Sequence, residues 1–193
     1  MPMIDSVRIP RGQRGATLIE ILVSLVILMV GLLGLVGVMI QSQRAQLESQ
    51  QRVQALLLVQ DMAARIAANK NVASCYVLAT FIGTGNTTVP TAASCAVGTL
   101  DERNRMVSDL TEWRDLLLGS AEKDAAGTNI GAVIGARGCI TRDASDLYQV
   151  SVAWQGTMAT AAPPAGIGCG QNLYGDDALR RAASVTVQLG DLT

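Results

Sequence analysis

The chain has 193 residues, 15 Lys and Arg against 16 Asp and Glu for a formal net charge of −1, and only 3% aromatic residues. A near-neutral balance argues against nucleic-acid binding by bulk electrostatics, and so few rings leave little for bases or sugars to stack on. Histidine is absent, which removes the commonest general base and metal ligand and every Ser-His-Asp or Cys-His scheme, so no catalytic, cofactor-binding or metal-binding set is expected. In chain order, the first element is a short basic stretch. Arg8, Arg11 and Arg14 face a single acid, Asp5, which by the positive-inside rule holds this end in the cytoplasm.

An apolar run follows. From Ile21 to Ile40 only Ser24 is polar and no charge interrupts. As a helix it spans about 30 Å, the thickness of a bilayer core. A secretory signal has a shorter apolar core followed by a small-residue cleavage site. Here the candidate processing point, Gly15, lies before the run, so a cut there leaves the hydrophobic helix on the mature chain. Glu20 stands at the mouth of the run, where a carboxylate is costly unless something pairs with it. Gly31, Gly34 and Gly37 recur every three residues and mark a packing or flexing segment.

Residues 41–70 contain neither proline nor glycine and are rich in Gln, Ala, Leu and Arg, so the helix is expected to continue beyond the membrane. Leu58, Met62 and Ile66 lie four apart on one stripe, and Leu56, Leu57, Ala63, Ala64 and Ala67 widen it. Such a stripe covers the back of a globular head and leaves surface for neighbours.

Beyond Lys70 the composition changes. "TFIGTGNTTVPTAASC" reads as a loop. Thr99 and Glu102 fit a capping box, Met106, Leu110, Trp113 and Leu117 mark one helical face, and Gly119 is a natural stop. The carboxylates of this second helix alternate with Arg103, Arg105 and Arg114, the pattern of a solvated, salt-bridged face. Arg137 to Arg142 reads as a strand joined by a short turn to "LYQVSVAWQ", whose alternation predicts a half-buried strand. Val185, Val187 and Leu189 alternate in a third. The long segment between the last two holds a Pro-Pro pair, and Gly175-Asp176-Asp177 is read as a turn, lacking the alternating ligands of a calcium loop.

The four cysteines, Cys75, Cys95, Cys139 and Cys169, form no C-x-x-C pair and have no histidine to complete a zinc set. All lie beyond the apolar run, in what becomes an oxidising compartment, and predict two disulfides. Three pairings are open. Cys75 with Cys95 and Cys139 with Cys169 is favoured, because each closes a loop within its own subregion.

Gly15 followed by Ala16-Thr17-Leu18-Ile19-Glu20 and the apolar run resembles the class III leader of type IV pilins and pseudopilins. The resemblance implies cleavage by prepilin peptidase between Gly15 and Ala16, N-methylation of Ala16, and use of Glu20 in pairing with a neighbouring subunit during assembly. Ala16 departs from the phenylalanine that most members carry. The head is similar to the PilV type of minor pilin, the type IV pilus modification protein, in its Asp-rich helix with Trp113, "GCIT" at 138–141, "VSVAWQG" at 150–156, and Cys169-Gly170 followed by Arg180-Arg181. The implied architecture is α+β and pilin-like: a leader over 1–15, the membrane half of a long helix over 16–40, its periplasmic half over 41–70, and a head over 71–193 with a small antiparallel sheet and a second short helix. The implied role is non-catalytic. It places the protein in the inner membrane with a periplasmic head and then in the pilus, where it takes part in initiating assembly at or near the tip. The implied partners are other minor pilins, the major pilin, prepilin peptidase and an inner-membrane assembly platform. A minor pseudopilin of a type II secretion system shares the leader, and a signal-anchored periplasmic enzyme and an adhesin remain as alternatives of other classes.

Overall fold

The computed structural model describes Gly15 and residues 17–190. It divides into two compact units, residues 1–43 and 44–193. In the first, the regular structure is the start of helix α1 (Leu18–Ala68). Every large apolar side chain from Leu18 to Ile40 is between 46% and 84% exposed. By length and composition, α1 is the one described helix able to cross a membrane.

The second unit begins with the rest of α1. Its buried residues are Ala55, Val59, Met62 and Ile66, spaced 4, 3 and 4 along one face. The expected stripe is thus shifted and narrowed: Leu58 is half-buried, while Leu56 and Leu57 are 39% and 60% exposed. At about 100° per residue, Leu57 falls on the flank away from Val59 and Met62. The helix ends at Ala68, and a 3-10 segment (Lys70–Tyr76) carries the chain away.

A four-stranded antiparallel sheet follows in simple meander order, with strands β1 (Ile82–Gly83), β2 (Arg137–Arg142), β3 (Leu147–Gln155) and β4 (Arg180–Gln188). Strand β1 sits in the stretch read from sequence as loop, and its two residues pair with Gly138 and Arg137. The second helix, α2 (Leu100–Leu117), has both halves of its capping box: the Thr99 side chain accepts from the Glu102 amide, and the Glu102 carboxylate accepts from the Thr99 amide. Gly119 closes it at φ +84°, with a would-be Cβ only 2.4 Å from the Ala132 nitrogen, so no other residue fits this stop.

One main core joins these parts. The α1 stripe, the α2 face of Met106, Leu110, Trp113 and Leu117, and the sheet residues Ile140, Val150, Val152 and Trp154 belong to a single buried cluster. Strand β3 differs from the expected half-buried alternation, since Val150 to Trp154 are all buried. Its outer face is covered by a second, small cluster of Ala153, Cys169 and Tyr174. That cover is delivered by the long 156–176 segment, which hydropathy alternation cannot register.

Helix α2 packs against the sheet so closely that Gly138 has no room for a side chain. A Cβ there would stand 2.5 Å from Trp113 and 2.8 Å from Leu117. Gly138→Ala is expected to cost about 2 kcal/mol through overpacking, read as a fall in Tm of roughly 4–8 °C for a domain of this size. An unchanged Tm would show that α2 and β2 can part without cost.

Candidate functional site

The residues singled out at the N-terminus lie in the first unit. Gly15 is exposed, Ala16 lies outside the described residues, and Glu20 sits exposed in the first turn of α1. The Glu20 and Ile21 amides donate to the Thr17 carbonyl at 3.0 and 3.3 Å, so the helix starts just before the carboxylate. The Ser24 hydroxyl donates to the Glu20 carbonyl at 2.7 Å, which satisfies the one polar side chain of the apolar run internally. No ion pair among the described residues includes Glu20. Helix α1 runs through Gly31, Gly34 and Gly37 without interruption, and none of the three has a neighbour within 4 Å of a would-be Cβ.

In the second unit the cysteines form two disulfides, Cys75–Cys95 and Cys139–Cys169. Each closes a local loop, of 20 and 30 residues, and restricts the unfolded chain by about 3 kcal/mol. Beyond the second bridge, the 156–176 segment is held by contacts that sequence reading did not find. Arg180 is 1% exposed. It pairs with Asp177 at 2.6 Å and donates to the Ile167 and Cys169 carbonyls at 2.6 and 3.2 Å. Arg137 lies between the Phe81 ring at 5.3 Å and the Tyr174 ring at 4.6 Å. The Tyr174 hydroxyl donates to the Gly135 carbonyl at 2.9 Å. The Asp177–Arg180 spacing of three was the only sequence signal for this network.

The acidic face of α2 departs from expectation. Asp109 is buried, not solvated, and its partners come from outside α2. Tyr76 donates to it at 2.6 Å, and Arg65 of α1 reaches both Asp109 at 3.1 Å and Glu112 at 2.7 Å. Asn69 donates to the Tyr76 hydroxyl at 3.0 Å. Burial and the hydrogen bond to Asp109 push the Tyr76 hydroxyl well above its ordinary range. Burial tends to lower the Arg65 pKa, but the bond to Glu112 and the Asp61 and Asp109 carboxylates raise it. These groups lock α1 to α2 and to the segment that follows α1.

A head cavity of about 350 Å³ is an open groove on the outer face of the sheet. It is lined by Phe81, Thr141, Gln149, Ser151, Gln171 and Leu173 beside the Cys139–Cys169 bridge. It offers hydroxyls, amides and one ring, with no general acid, base or nucleophile. Among the described residues no cluster of three or more potential metal ligands occurs.

Residues 10–36 match the family described as the prokaryotic N-terminal methylation motif, the class III motif typical of type IV pilins and pseudopilins. The match spans Arg11, Arg14, Gly15, Glu20 and most of the apolar run. No curated protein and no solved structure matches the chain significantly.

One contact ties α1 to the long loop. Glu48 accepts from the Thr157 amide at 3.1 Å, from its hydroxyl at 3.0 Å, and from Arg181 at 3.4 Å. Burial raises the Glu48 pKa, but the Thr157 bonds and the Arg181 charge outweigh it and hold the carboxyl below its ordinary 4.5. A depressed carboxylate contributes stability that is complete above its unfolded value and lost as pH falls through its folded one. Glu48→Gln is therefore expected to lower stability at pH 7 by about 1 kcal/mol. In thermal melts the gap between variant and parent should close as pH falls below 4.5, and a gap that persists at low pH would refute the assignment.

Proposed function

We infer that the protein is a non-catalytic minor pilin of the PilV type, which helps to initiate a type IV pilus at or near its tip. The observation that carries this reading is the joint occurrence of two features. One is the N-terminal methylation motif over residues 10–36. The other is a pilin-like α+β architecture, in which α1 leads into a four-stranded antiparallel sheet with a second helix. On this reading residues 1–15 are a leader removed by prepilin peptidase, and Ala16 becomes the methylated N-terminus. Residues 16–40 hold the protein in the inner membrane, 41–70 continue the helix into the periplasm, and 71–193 form the head.

Glu20 acquires its purpose from that cut. Removing the leader creates an amine at Ala16, four residues from Glu20, at the edge of the apolar phase. A carboxylate in that setting is stabilised by an amine, whether its own or a neighbour's, and docking into a filament supplies the partner that lipid does not. Exposed apolar residues on α1 beyond the bilayer, Leu47, Val53 and Leu57, give adjoining subunits further surface. A minor pseudopilin of a type II secretion system shares the motif; deletion separates the two readings by which assembly fails.

N-terminal mass spectrometry decides the processing step. The chain should begin at Ala16 in cells with prepilin peptidase and retain its leader in cells without it. Glu20→Ala should leave the membrane-bound amount unchanged while reducing recovery in sheared pili by at least about tenfold, because a chain without the acid no longer selects a partner. A mature chain that starts at Met1, or one that has lost residues 16–40, would overturn the reading.

A further inference from the structure

The two edges of the sheet are built differently. Strand β1 is two residues long, and the Gly83 amide and carbonyl at that edge are taken by Asn86. Strand β4 is nine residues long and pairs with β3 over its whole length without a bulge. At its start the edge is covered. Thr160 donates to the Ala178 carbonyl, and the Pro163–Pro164 pair lines one groove with Ala182. Beyond that point nothing pairs with it: among the described residues, no backbone group from Ala183 to Gln188 bonds to anything but β3. The free stretch reads Ala-Ser-Val-Thr-Val-Gln, with no charge, no proline and high strand propensity. Natural sheets normally blunt such an edge with lysine, proline, a bulge or brevity, and β1 shows that this sheet can do so.

The ends of this edge are chemically distinct. Where the open stretch meets the Pro163–Pro164 wall, a groove of about 280 Å³ is lined by Arg52, Arg181 and Ala182 together with the prolines. The groove has no acidic lining residue. Arg181 is engaged by Glu48 and the Met158 carbonyl, whereas Arg52 is exposed and makes no side-chain hydrogen bond or ion pair among the described residues. On the helix side, Val185 and Val187 are only half-buried.

We propose that the Ala183–Gln188 edge of β4 is a docking site for an extended segment of a different protein, which adds as a fifth strand antiparallel to β4. An antiparallel guest ends at the basic groove, so its C-terminal end carries the acidic residue that Arg52 receives, and its alternate apolar side chains cover Val185 and Val187. A second copy of this chain does not fit. Strand β4 paired with its own copy is related by a two-fold axis normal to the sheet, which runs the two α1 helices in opposite directions. Copies anchored in one membrane share one helix direction. This exclusion rests on the membrane-anchored reading above; the backbone argument does not.

The test uses the full chain in detergent micelles and a probe peptide of about eight residues, alternating valine and threonine and ending in two aspartates. Hydrogen exchange should slow by roughly tenfold at alternate amides within 183–188. The same peptide N-methylated at alternate residues should give no protection, because it cannot complete a ladder. A version ending in two lysines should bind at least about threefold more weakly at low salt, and Arg52→Glu should reverse that order. Absence of protection at 183–188, or equal binding of both endings, overturns the proposal. A Thr186→Cys chain that cross-links to itself through β4 overturns it in favour of a second copy. A chain found to begin at Met1 would defeat the pilin reading and leave the peptide result standing.

Discussion

The seam between α1 and α2 is the contact on which the head depends. The Trp113 indole donates to the Leu58 carbonyl at 2.9 Å, and its ring stands over Gly138 of β2. A helix carbonyl already serving its own ladder is an unusual acceptor, and the bond places the indole against the buried flank of α1. Trp113 thus touches helix, helix and sheet at once, and it is wholly buried. Two to three turns further along α1, Arg65, Asn69, Tyr76 and Asp109 close the same seam with hydrogen bonds, those to Asp109 charge-assisted. Apolar packing there supplies most of the free energy, and the polar groups fix the register, since a slide of one residue leaves Asp109 buried without a donor.

Helix α1 changes character along its length. Up to Ile40, α1 is apolar on all sides and exposed on all sides. From Ala55 onward its buried surface is a line of four residues. Between them Gln41 to Gln54 is largely polar and meets the head through polar side chains, Glu48 at Thr157 and Arg181, and Arg52 beside Trp154. The change from all-round to one-sided hydrophobicity is what a sequence displays most openly. The class of fold, the length of α1, the α2 cap at Thr99 and Glu102, and β2 and β3 are accordingly legible in the order of residues alone. Periodicity located Met106, Leu110, Trp113 and Leu117 because a helix face repeats within a few residues.

What stayed hidden depends on separation in sequence. Asp109 looked solvated because its donors, Arg65 and Tyr76, lie 44 and 33 residues away. The full burial of β3 was invisible because its cover arrives from Cys169 and Tyr174, in a segment with no periodicity. Leu57 looked like core because a composition-based stripe is broader than the geometric one. The N-terminal residues present the opposite case. Gly15, Ala16 and Glu20 are conspicuous in sequence, yet the roles proposed for them concern a peptidase and neighbouring subunits, so a single folded chain carries little of that information.

The long 156–176 segment shows how a loop of this length avoids disorder without secondary structure. Its closure entropy grows only with the logarithm of its length, so a few strong tethers suffice if they are spread along it. Thr157 is held by Glu48, Thr160 by the Ala178 carbonyl, Ile167 and Cys169 by Arg180, and Cys169 again by its disulfide. Tyr174 then packs on Arg137. No stretch between tethers exceeds about seven residues, short enough that each is restrained by its ends. The tethers also decide where the segment runs. It starts beside α1, passes the first residues of β4, and finishes on the outer face of β2 and β3. In doing so it covers the charged beginning of β4 and leaves the uncharged remainder open, a division that Arg180 helps to set, because its buried guanidinium would keep Asp177 but lose two carbonyl acceptors if Ile167 and Cys169 were placed elsewhere.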